Sequence, residues 1–162
     1  MHAPSDRTIS THSRGRTVGL SLLVIGAFVL AGCSSPAAST AAGATVKATL
    51  TEWAVVLDKA SVPAGDIKFD VTNAGTQFAH EFVVIKTDLA PADLPAVDGK
   101  VDEEGAGIAF IGELEEIETG ASGTVSFPLT AGKYVLICNI VETGGGHESH
   151  YNQGMRVAFT VN

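Results

Sequence analysis

Apolar and polar residues alternate with a period of two in short blocks from residue 46 to the end, and this restricts the fold of the 162-residue chain more than anything else in it. Val46, Ala48 and Leu50 alternate with Lys47, Thr49 and Thr51, and Ile67, Phe69 and Val71 with Lys68 and Asp70. Val125, Phe127 and Leu129 repeat the pattern, as do Val157, Phe159 and Val161. Successive side chains of a strand point to opposite faces, so each block has one face for a core and one for water. Residues 82–85 and 134–140 are apolar almost throughout, as suits central strands covered on both faces. Pro63-Ala-Gly65, Asn73-Ala-Gly75, Thr119-Gly120 and Ala131-Gly132 mark turns. The expectation is an all-β domain, a Greek-key β-sandwich of seven to eight strands. Two segments break the rhythm: residues 88–112, with a short helical turn expected near residues 92–94, and a polar loop over residues 142–154.

Residues 1–32 are read as an export signal. Arg7, Arg14 and Arg16 precede an uncharged run over residues 18–31, which ends at Leu30-Ala31-Gly32-Cys33. That ending resembles a bacterial lipobox, in which small residues allow cleavage and the following thiol carries the lipid. The run is short for a membrane span of about 20 residues, which argues against an uncleaved anchor. Residues 33–46, rich in Ser, Ala, Gly and Thr, are read as the lipidated Cys33 and a flexible tether. Residues 47–162 remain as a single domain.

From Cys33 onward the chain holds seven Lys and Arg against seventeen Asp and Glu, a net charge of −10. Such a surface argues against nucleic acid as a partner and suits a basic protein. With Cys33 lipidated, Cys138 is the one thiol left, so no intramolecular disulfide can form.

The domain carries His80, Cys138, His147, His150 and Met155 at expected strand ends or in the last connection. His80 shares a face with Phe82 and Val84, Cys138 with Tyr134 and Leu136, and Met155 with Val157 and Phe159. An imidazole, a thiol and a thioether therefore point inward, with further imidazoles on the loop joining two of them. Two imidazoles, a thiolate and a weak thioether are what a trigonal copper centre requires. Singly, each has an ordinary explanation as a core histidine, an inert thiol or core filler; the joint pattern favours copper. A catalytic Cys–His pair would need an exposed thiolate and an orienting third group, and structural zinc would need a better fourth ligand than Met. A dinuclear copper centre would need a second cysteine.

Tyr134-Val-Leu-Ile-Cys138-Asn-Ile140 followed by His150-Tyr-Asn-Gln-Gly-Met155 and a final strand resembles the C-terminal signature of plastocyanin-like cupredoxins, and Ala79-His80-Glu-Phe-Val-Val matches their upstream histidine. The resemblance implies a mononuclear type 1 (blue) copper site with His80, Cys138 and His150 as strong ligands and Met155 as the long axial one. Two departures stand out. Eleven residues, 139–149, separate the cysteine from His150, and they include Glu142, Glu148 and His147, an alternative or additional metal ligand. Glu81 also replaces the family's asparagine after His80, whose loop-holding work Asn139 could share.

The resulting expectation is an electron carrier rather than an enzyme. It would hold one copper cycling between Cu(I) and Cu(II) and exchange electrons through a His150 placed near the surface. It would be a monomer, lipid-anchored outside the cytoplasmic membrane on the periplasmic side or cell surface, and would serve a cytochrome or oxidase. The alternative is a copper-buffering or copper-delivery lipoprotein, suggested by the long loop with its spare His147. A third possibility is a metal-free sandwich with an adhesive or scaffolding role.

Overall fold

The structure, a computed structural model, describes residues 43–144 and 148–162. The expected signal, Cys33, most of the tether and His147 lie outside the described residues. Eleven strands and one helical turn follow in the order β1 (Thr45–Thr51), β2 (Ala54–Leu57), β3 (Ser61–Val62), β4 (Gly65–Asn73), β5 (His80–Lys86), β6 (Ala96–Val97), β7 (Lys100–Val101), β8 (Ala109–Ile117), β9 (Ser122–Leu129), β10 (Gly132–Ile137), α1 (His150–Gln153) and β11 (Arg156–Val161). One sheet has the order β2-β1-β4-β9 and the other β3-β11-β10-β5-β8, while β6 and β7 form a separate ribbon. Pairing is antiparallel except for β1 with β4 and β11 with β3. The two mixed sheets make the β-sandwich that the alternation requires.

The inward residues of that alternation form the main core. Val46, Ala48 and Leu50 of β1 and Ile67, Phe69 and Val71 of β4 meet Phe82 and Val84 of β5, Tyr134 and Leu136 of β10, and Phe159 and Val161 of β11. Phe69 lies at its middle, its ring centroid 5.2 Å from Phe82 and 5.7 Å from Phe159. Each such side chain contributes about 1.5–3 kcal/mol by leaving water, so the blocks of alternation set the two-layer form.

The unbroken apolar runs of β5 and β10 have a second cause. Val83 and Ile85 of β5 and Val135 and Ile137 of β10 face away from the main core. They pack with Leu94, Val101 and Tyr151 in a second cluster. The excursion between β5 and β8 thus covers the outer face of the second sheet. It is held by turns, including one near the expected helical turn, where Asp93 N donates to Ala90 O at 2.9 Å. Within it β8 begins earlier than the composition suggests. Gly112 allows this, because φ is 155° there and a Cβ would lie 2.4 Å from Phe127 Cε1. The β5–β8 register also shifts between Val84 and Ile85.

Candidate metal centre

Antiparallel pairing gathers the donors. β10 lies between β5 and β11 and runs against both, so its C-terminal end adjoins their N-terminal ends. His80 opens β5, Cys138 follows β10 and Met155 precedes β11. All three, and His150, are 0% exposed.

The backbone knits these positions together. Cys138 N donates to Met155 O at 3.0 Å, Met155 N to His150 O at 3.0 Å, and His150 N to Ile140 O at 3.0 Å. His150 begins a single helical turn that the sequence reading treated as loop. Ser149 caps it, its Oγ accepting from Asn152 N at 3.1 Å and donating to Gly99 O. A helix capped in this way directs His150 into the site and Tyr151 into the second cluster. The Tyr151 hydroxyl there donates to Pro91 O at 2.8 Å and accepts from Leu94 N at 3.2 Å. Gly154 ends the turn at φ 130°, where a Cβ would lie 2.9 Å from Trp53 O. The glycine therefore lets the Trp53 backbone close over the site.

Among the described residues, His80, Cys138 and His150 form one three-residue cluster able to hold a metal ion. The Nδ1 atoms of the two histidines are 3.1 Å apart, and Cys138 Sγ lies 3.3 Å from His150 Nδ1 and 3.9 Å from His80 Nδ1. A circle through three atoms so spaced has a radius of about 2.0 Å, close to ordinary metal–nitrogen and metal–sulfur bond lengths. Two imidazoles and a thiol suit copper, and the cluster provides for one ion.

Burial controls the charge of all three. It pushes His80 down to about 4, helped by repulsion from His150 and opposed by Glu52. His150 is lowered by burial against the attraction of Glu142. The Cys138 thiol is pushed up to about 12 by burial, although the Glu81 and Ile140 backbone N–H groups favour the thiolate. Glu81 N lies 3.4 Å from the sulfur. Without a metal the site is therefore neutral at pH 7, and a metal must displace the thiol proton.

Four polar residues support these donors, of which Asn73 and Glu52 carried no signal in the sequence. Glu81, standing where the family has asparagine, accepts Asn139 N on its Oε1 at 2.8 Å. Burial raises its carboxyl despite that bond, and Glu113 and Glu103 push it further. Asn139 is 1% exposed and spends its side chain on Val101 of the β6–β7 ribbon and on Glu103 just beyond it. Its Oδ1 accepts Val101 N at 2.6 Å, and its Nδ2 donates to Val101 O at 3.1 Å and Glu103 Oε1 at 2.9 Å. The expected loop-holding role of Asn139 is thus divided between these two residues. Before His80, Asn73 Nδ2 donates to Phe78 O and Ile117 O, both at 2.9 Å, while the Glu52 carboxylate accepts Thr76 N and Gln77 N, both at 2.8 Å. The Gln77 bond is the main reason Glu52 stays below the usual carboxylate range.

One expectation is sharpened: His150, expected near the surface, is fully buried just beneath it. Half-buried Trp53 and Phe78 cover it, their ring centroids 5.2 and 5.6 Å from the imidazole. On its far edge Glu142 Oε1 lies 3.3 Å from Nε2. The long connection supplies that last cover.

This arrangement of sheets is the cupredoxin-like β-sandwich. An auracyanin reduced with dithionite, from the photosynthetic bacterium Roseiflexus castenholzii, is similar over 73% of this chain and 96% of its own, with a TM-score of 0.54 and 24% identity. Auracyanin B is similar over 76% of this chain and 91% of its own, with a TM-score of 0.50 and 22% identity. Rusticyanin from Thiobacillus ferrooxidans is similar over 74% of this chain and 77% of its own, with a TM-score of 0.51 and 16% identity. At these identities the likeness shows the fold alone. No protein-family model matches the sequence, and no curated protein matches it.

Proposed function

We propose that the protein is an electron carrier with a mononuclear type 1 copper site, His80, Cys138 and His150 being the strong ligands and Met155 the axial one. The observation that carries this is the buried triad, whose three donor atoms lie 3.1, 3.3 and 3.9 Å apart with no solvent exposure. Met155 belongs to the same buried cluster as Cys138 and bonds through its backbone to both Cys138 and His150. Bound copper would supply a one-electron couple. The protein's part is to keep the donors fixed between two sheets, so that little rearranges when the charge changes. Trp53 and Phe78, half-buried over His150, shield the ring from water and lie between it and the surface.

The export signal and its Leu30-Ala31-Gly32-Cys33 ending suit an extracytoplasmic carrier held by a lipid anchor on Cys33. A domain with no enzymatic activity, acting as a monomer and exchanging electrons with a basic face of a cytochrome or oxidase, agrees with its acidic charge. Complete burial of the triad weighs against copper delivery, which needs accessible ligands. The test is the visible spectrum after one equivalent of Cu(II), with Cys138→Ser alongside. An intense thiolate-to-copper band lost in the variant supports the reading; weak absorption identical in both would overturn it.

A further inference from the structure

The connection from β10 to α1 closes into a stem. Val141 bridges Ser149, and Glu142 N donates to Glu148 O at 2.9 Å. The stem carries Glu142 to the outer edge of His150, with Oε1 3.3 Å from Nε2. That nitrogen is buried and has no aligned hydrogen bond, while Nδ1 on the opposite edge faces Cys138 Sγ and His80 Nδ1. A neutral imidazole offers a lone pair on one nitrogen only when the other carries the proton. With Nδ1 turned to a metal, the proton sits on Nε2, facing a carboxylate.

We propose that Glu142 is a positioning residue for His150: in the loaded protein it accepts the Nε2–H hydrogen bond, fixes the tautomer and biases the site toward Cu(II). This rests on the copper reading above. A carboxylate behind a metal-ligating imidazole raises the basicity of the ligand and favours the more highly charged ion, more strongly where water is excluded. Two other acids near the site lack this geometry. Glu148 is exposed, and Glu52 spends its carboxylate on Thr76 and Gln77. The long connection is thus a device for bringing a charge to the imidazole, not only a lengthened loop.

The test loads the full chain with one equivalent of Cu(II) and compares wild type, Glu142→Gln and Glu148→Gln by spectrum and reduction potential. Losing such an outer partner changes metal affinity by about 10–100-fold. At the low end, Glu142→Gln weakens Cu(II) about tenfold relative to Cu(I), an upward shift of about 59 mV for one electron. The charge-transfer band persists and Glu148→Gln leaves the potential in place. Equal shifts in both variants, or none in Glu142→Gln, would overturn the proposal. Nitrogen-15 shifts of His150 in the Cu(I) form give a check without mutation, and a proton on Nδ1 would also overturn it. A wild type lacking the band would sink the copper reading and this inference together, whereas a strong band with an unmoved potential sinks the inference alone.

Discussion

Asn139→Ala separates the ribbon from the metal site, and its cost can be worked from the hydrogen bonds it removes. The side chain satisfies both Val101 N and Val101 O, and Val101 is 2% exposed. Alanine leaves those two backbone groups without partners, at about 1–3 kcal/mol each, so the expected loss is about 2–6 kcal/mol. The bond to Glu103 adds little, since that residue is only partly buried. For a domain of this size each kcal/mol moves the thermal midpoint by about 4 °C, giving a fall of about 8–24 °C. Asn139 N keeps its bond to Glu81 in the variant, so Cys138 stays in place and the copper band persists. Denaturant unfolding measures the loss, and hydrogen exchange at the Val101 amide shows where it arises. A loss under about 1 kcal/mol with Val101 still protected would refute the reasoning, because those groups would then have other partners.

The metal-free protein should lose stability as pH falls from 6.5 toward 4. His80 is pushed down to about 4 in the fold against about 6.5 unfolded, so the unfolded chain binds the proton first in that window. The stabilisation is complete above the unfolded value, and from His80 alone about 2 kcal/mol is lost between pH 7 and pH 5. His150 adds to this in the same direction. Urea midpoints at the two pH values check the prediction, and a flat profile would refute it. The same charge states mean that metal uptake at pH 7 releases about one proton, from Cys138, which calorimetry in buffers of different ionisation enthalpy measures. Met155→Leu conserves volume in the core, costs less than about 1.5 kcal/mol, and still alters the copper spectrum and potential if the thioether is a ligand. Spectra of wild type and variant that superimpose would remove Met155 from the ligand set.

The sandwich was legible in the residue pattern, because period-two burial leaves a strand only one way to hide its apolar face. The same pattern showed which donors could meet. His80, Cys138 and Met155 each share a phase with core residues, and phase along a strand survives any choice of topology. The continuous runs of β5 and β10 announced burial on both faces. What covered the second face was not legible, since Leu94, Val101 and Tyr151 come from segments with no periodicity of their own. The count of seven to eight strands left out the two-residue pieces β3, β6 and β7, which are too short to show a period. The helical turn at His150 was read as loop; Ser149 as a cap and Gly154 as a stop are the signals that could have shown it.

The surroundings of the triad came from long-range folding. Glu81, Glu142, Asn73 and Asn139 act through partners 5 to 58 residues away or through a fold-back of the chain, and no local pattern encodes such pairs. The burial of His150 belongs here too. An eleven-residue connection reads as an open loop until its ends pair and lay Glu142 against the ring. Side-chain chemistry and strand phase are local properties carried by the residues themselves. Solvent exclusion and the proton position on an imidazole depend on what long-range folding sets beside it.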